Sequence, residues 1–152
     1  MKIIKTIVVL CAVGALWSAT ARADDSALTA SVKSVYDDYL KIQVSLANDS
    51  MGGVAENANA IAKAVHADAN VLPNEIASEA EVVAKASDLT AARTAFKPLS
   101  NLLVQYLADH HAKDAYVQVY CSMAKANWLQ ADKNVKNPYL GQAMSGCGEI
   151  QN

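Results

Sequence analysis

Between Ser26 and His110 the apolar positions recur with the period of a helix. The first series is Leu28, Val32, Val35, Tyr39, Ile42 and Leu46, with steps of 4, 3, 4, 3 and 4. It lays one stripe down a helix of about 24 residues. Asn48-Asp49-Ser50 interrupts the stripe and offers capping oxygens to the next segment. Gly52-Gly53 weakens the start of that segment, and Val54, Ala58, Ile61 and Val65 then resume the spacing. Leu72-Pro73-Asn74 marks a turn, and a shorter helix follows with Ile76, Ala80 and Val83 on its inner face. Ser87-Asp88 caps a fourth helix whose stripe is Leu89, Ala92, Phe96, Leu99, Leu103 and Tyr106. Pro98 falls inside that pattern, where the loss of one backbone hydrogen bond predicts a kink, not an end.

The pattern changes after Ala112. Tyr116-Val117-Gln118-Val119-Tyr120 alternates as a short strand does, and the remainder has no helical period. The expected fold is therefore all-α: an up-down four-helix bundle over residues 24–112, followed by an irregular tail over 113–152 that a disulfide can clasp. No repeat of 20–50 residues and no low-complexity linker breaks the chain, so a single domain is expected.

The N-terminus changes where that domain begins. Lys2 and Lys5 precede a nearly uncharged stretch from Thr6 to Ala19, and Ala21-Arg22-Ala23 then supplies an A-x-A cleavage pattern. This order is that of a secretory signal peptide over residues 1–23. Its apolar run of about 14 residues is short of the roughly 20 that span a bilayer. Cleavage removes 23 of 152 residues and leaves 129, a comfortable single domain with no membrane span, placed in the periplasm or secreted. It also removes three of the 13 basic side chains, leaving 10 against 15 acidic ones and a formal charge of −5. Nucleic acid and anionic membrane both require a basic surface, so neither is an expected partner.

Of three cysteines, Cys11 leaves with the signal; Cys121 and Cys147 remain, both in the tail. Two thiols in an oxidising compartment form a disulfide by default. The loop closed would be about 27 residues long, worth roughly 3–4 kcal/mol on the loop-entropy estimate. The same residues also fit a soft-metal site, because Cu(I) favours thiolate and thioether sulfur. Cys121 and Met123 are two apart, on one side of an extended segment, and Met144 and Cys147 are three apart, as on one face of a turn. His110 and His111, at the end of the fourth helix, are possible imidazole additions. Each feature has a structural explanation as well. The methionines fill cores, the histidines suit a helix C-terminus, Trp128 packs the tail on the bundle, and Asn137-Pro138-Tyr139 makes a turn. His66 reads as a surface residue. The chain has no C-x-x-C redox motif, no H-E-x-x-H helix, no phosphate-binding glycine loop and no di-iron E-x-x-H pair, so it does not read as an enzyme.

The tail carries four ordered blocks: Tyr120-Cys121-Ser122-Met123-Ala124, Trp128-Leu129, Asn137-Pro138-Tyr139-Leu140-Gly141, and Met144-Ser145-Gly146-Cys147-Gly148. With Phe96-Lys97-Pro98-Leu99-Ser100 upstream, they resemble the DUF3347 family. Members of that family occur as small exported proteins and as terminal domains of periplasmic heavy-metal efflux adaptors. Ser122 stands where the family usually has proline, and the stretch from Met123 to Trp128 is shorter than is typical. The resemblance implies a link to copper or related metals and a heavy-metal efflux or envelope protein as partner. Two expectations follow. One is a binding or delivery protein for Cu(I) with Cys121, Met123, Met144 and Cys147 as ligands. The other is a disulfide-stapled interaction module that docks onto an envelope or efflux protein and holds no metal.

Overall fold

The computed structural model describes residues 28–68 and 72–151. The signal peptide expected over residues 1–23 lies outside the described residues. Among those described, four helices appear in chain order: α1 (Ala30–Ala47), α2 (Val54–Ala67), α3 (Asn74–Ala84) and α4 (Leu89–Asp109). Three strands follow: β1 (Val117–Cys121), β2 (Ala126–Gln130) and β3 (Glu149–Ile150). The domain is thus a mixed α/β fold, and the expected all-α bundle with an irregular tail is overturned by this antiparallel sheet, ordered β2-β1-β3.

The helical stripes are the core. Val32, Val35, Tyr39, Ile42 and Leu46 of α1 are buried, as are Val54, Ala58, Ile61 and Val65 of α2. Ile76, Ala80 and Val83 of α3 and Ala92, Phe96, Leu99, Leu103 and Tyr106 of α4 complete the set. Asp88 caps α4 as expected, its carboxylate accepting from the Ala91 N–H at 2.9 Å. The helix continues through Pro98. The Asn48–Ser50 stretch does not cap α2. Its N-cap is Gly53, held at φ +76°, a left-handed conformation that glycine adopts without steric cost.

Each helix packs on its successor, but β2 enters between α4 and α1 and takes much of the contact a closed bundle would give that pair. Two tyrosines of α1 organise the junction. The Tyr36 hydroxyl donates to the Leu103 carbonyl at 2.8 Å, and its ring stacks on Tyr116 with centroids 5.0 Å apart. The Tyr39 hydroxyl is paired with Ser100 Oγ at 2.8 Å and accepts the Leu129 N–H of β2 at 3.1 Å. Burial raises both phenols above their ordinary range, so they stay neutral and serve as hydrogen-bonding hooks.

The missed strands have physical reasons. In β2, Trp128, Leu129 and Gln130 are all buried, so the alternation of a half-buried strand is lost. β3 has two residues, too few for any period, and forms only by pairing Val119 with Ile150 and Tyr120 with Glu149. The alternating segment at Tyr116–Tyr120 is β1 in all but its first residue.

Candidate functional site

β1 pairs with β2 along its whole length, from Val117 opposite Gln130 to Cys121 opposite Ala126. Cys121 is therefore the last strand residue before a tight turn over 122–125, in which Lys125 takes a left-handed φ of +49°. The turn is fastened to α4 by Lys97, whose ammonium donates to the Ala124 carbonyl at 2.8 Å and sits 5.6 Å from the centre of the Tyr139 ring. Cys121 is 1% exposed, and its sulfur accepts the Ala124 N–H at 3.4 Å.

Cys147 arrives from the opposite direction, on the loop between a short 3-10 turn (Gly141–Met144) and β3. Asn137 builds that loop. Its side chain is fully buried, and its amide donates to the Cys147 carbonyl at 2.6 Å. Its Oδ1 accepts the N–H groups of Tyr139 and Leu140 at 2.8 and 3.0 Å. Its backbone N–H donates to Ser145 at 2.8 Å, and its carbonyl accepts from Gly141 at 3.1 Å. Tyr139 anchors the same loop to β2 by donating to the Asn127 carbonyl at 2.6 Å. Gly148, the residue after Cys147, packs so closely that an added Cβ would lie 2.6 Å from both Trp128 and Val119. Gly141 holds φ +60°, and a Cβ there would collide with Asp49 and Arg93.

Arg93 of α4 ties this end of the molecule together. Its guanidinium donates to the Pro138 carbonyl at 2.9 Å and the Leu46 carbonyl at 2.8 Å, and pairs with Asp49. Hydrogen bonding from Arg93, then from the Gln142 N–H, holds the Asp49 carboxyl below the ordinary aspartate value.

The result is a convergence of two cysteines 26 positions apart: both are free, and their sulfurs lie 2.7 Å from each other. Burial pushes the Cys121 thiol up, but hydrogen bonds from Cys147, from the Ala124 and Met123 N–H groups and from Asn137 bring it below the usual thiol value. Cys147 is raised, first by its hydrogen bond to Cys121 and then by burial. Of the two, Cys121 is therefore the more readily ionised.

The other candidate residues fall into two groups. Met123 and Met144 border the pair: the Met123 N–H faces both sulfurs, and the Met144 carbonyl accepts the Cys147 N–H at 3.0 Å. Their side chains are 61% and 42% exposed, so neither fills the core. His110 and His111 lie at the other end of α4, 13 residues beyond Lys97, about 20 Å along the helix at 1.5 Å per residue. His110 stacks on Tyr106 at 3.9 Å with Nδ1 2.8 Å from that residue's carbonyl, and His111 is exposed with φ +53°. The structure therefore brings the cysteines together with the methionine backbones beside them and leaves the histidines apart. Trp128 is fully buried, its indole N–H donating to Gln130 at 3.0 Å, and packs edge-on against Tyr139 at 5.9 Å. His66 is on the surface beside Glu81. Among the described residues, no three His, Cys, Asp or Glu side chains gather as a metal group, and no helix is long and apolar enough to cross a membrane. Sequence reasoning passed over Asn137 as a turn residue and did not single out Arg93 or Asp49 as partners. Only the N-P-Y-x-G block hinted that this loop was built.

Neither the curated proteins nor the solved structures compared with the chain give a match. A family model described as "Protein of unknown function (DUF3347)" matches residues 35–115, more than half of the 152 residues and ending ahead of both cysteines. The chain belongs to the DUF3347 family.

Proposed function

We propose that the protein works outside the cytoplasm as an interaction module whose C-terminal sheet is stapled by a Cys121–Cys147 disulfide. The clasp-bearing end would dock onto an envelope or efflux protein, without a metal of its own. The observation that carries this reading is the 2.7 Å approach of the two sulfurs across 26 positions of chain. Export, read from the N-terminal signal pattern, would put these thiols where oxidation is the default. Tyr120, Met123, Met144 and Ile150 are left exposed along the same C-terminal segment, apolar surface that supports a docking role for it.

A second reading is favoured by the exposed methionines: Cu(I) as cargo, held by Cys121, Met123, Met144 and Cys147. The donors fit in kind, being soft sulfur. Their spacing fits less well. Two thiolates each about 2.3 Å from one ion stand nearly 4 Å apart at a tetrahedral angle. Cys147 would have to retreat by about 1 Å from its place here, and His110 and His111 lie just past the far end of α4, away from the sulfurs.

Thiol labelling of the unfolded protein without reductant, run beside a Cu(I) titration against a competing chelator, separates the readings. The clasp predicts no labelled cysteine in the exported protein and no copper taken from the chelator. Two labelled cysteines, with copper uptake that the Met123→Ala/Met144→Ala double variant loses, would overturn it in favour of the metal site.

A further inference from the structure

The two sulfurs of the clasp differ in access. Cys121 closes β1 beneath the 122–125 turn, 1% exposed, with its sulfur already receiving the Ala124 N–H. Cys147 is partly exposed on the outer loop. Its neighbour Gly146 adds no bulk there, since even a Cβ on it would meet nothing within 4 Å. An incoming small molecule therefore has an open approach beside one sulfur and none to the other.

We propose that Cys147 is the site at which a small thiol or disulfide exchanges with the protein, and that Cys121 is the resolving sulfur; this rests on the clasp reading above. Starting from the disulfide, an external thiolate attacks Cys147 Sγ. The Cys121–Cys147 bond breaks, its electron pair leaves on Cys121, and the Ala124 N–H stands ready to receive that charge. The product is a mixed disulfide on Cys147. Cys121 can then attack the same Cys147 sulfur, expel the small thiolate and restore the clasp, with no net change in oxidation state. Starting from the reduced pair and a small disulfide, Cys147 passes its proton to the adjacent Cys121 sulfur and attacks as thiolate; the small thiolate it releases takes that proton from Cys121. Cys121 displaces the second. Two protein thiols are oxidised and one disulfide is reduced to two thiols. Exchange runs through the accessible sulfur in both directions, because attacker, attacked sulfur and leaving sulfur must lie in line, which needs open space at whichever protein sulfur joins the small molecule.

The test treats the reduced full chain, and its Cys121→Ser and Cys147→Ser variants, with oxidised glutathione, and maps adducts by mass spectrometry after acid quenching. Cys121→Ser should gain glutathione on Cys147 at least tenfold faster than Cys147→Ser gains it on Cys121. The wild type should pass through an adduct on Cys147 before reaching the internal disulfide. Equal rates, or a wild-type adduct mapped to Cys121 on the way to the disulfide, would overturn the assignment while leaving the clasp intact. A wild type that ends with both cysteines glutathionylated and no internal bond would overturn both. Should a variant lose its helical circular dichroism, the wild-type time course decides alone.

Discussion

The helices and the C-terminal sheet are held by different kinds of interaction. The four helices are organised by apolar stripes that pack on one another, with few polar groups needed at their contacts. Residues 113–151 share the same core through Val119, Trp128 and Leu129, but their path is dictated by side chains bonded to backbone: Asn137, Gln130, Arg93 and Lys97. Apolar packing leaves a periodic trace in the sequence. A loop assembled by one buried amide leaves a single letter. The comparison teaches that the part of this protein with the richest chemistry is also the part whose geometry is set by the fewest residues.

The largest expected effect would break the distinction itself. Trp128→Ala opens a cavity where sheet and helices share a core, and should cost about 3–5 kcal/mol in urea-induced unfolding, lowering the stability of both regions together. A loss confined to the sheet, with the helical transition unmoved, would show that the two regions are separate units.

Asn137→Ala sharpens the comparison. It strands the N–H groups of Tyr139 and Leu140 and the Cys147 carbonyl, and should cost about 2–3 kcal/mol. Hydrogen exchange should quicken from Tyr139 to Ile150 while the centres of α1 and α4 keep their protection. Uniform quickening would place Asn137 with the common core.

How much was legible follows from the same contrast. The buried stripes of all four helices, the Asp88 cap and the continuation through Pro98 were read correctly because each is a local signal. Leu28, however, lies ahead of α1, which has 18 residues and not about 24, and Leu89 is only partly buried. The strand at β1 showed its alternation. β2 did not, since burial of Trp128, Leu129 and Gln130 erases period two, and β3 owes its existence to partners 29 and 31 positions upstream. That Cys121 and Cys147 come together was expected both for a clasp and for a sulfur site. That Asn137 places Cys147 depends on a bond across 10 positions, and that Arg93 and Asp49 brace the loop on contacts across 44 to 45, none of which a local pattern records.

The smallest effect concerns acid. Asp49 has its carboxyl lowered by Arg93 and the Gln142 N–H, so its contribution is complete above the ordinary aspartate range and fades as pH falls through the depressed folded-state value. Asp49→Asn should therefore flatten the stability curve below about pH 4 and leave its slope near neutrality unchanged. A wild-type slope retained in the variant would assign that acid sensitivity to another carboxylate.

The central claim is that Cys121 and Cys147 staple the sheet to itself, and the most direct measurement is urea unfolding of the exported protein before and after reduction and alkylation of both thiols. A bond closing a loop of about 27 residues should make the untreated protein more stable by roughly 3–4 kcal/mol, with the sheet the first region to lose exchange protection once it is cut. Identical midpoints and identical protection in the two samples would contradict the claim.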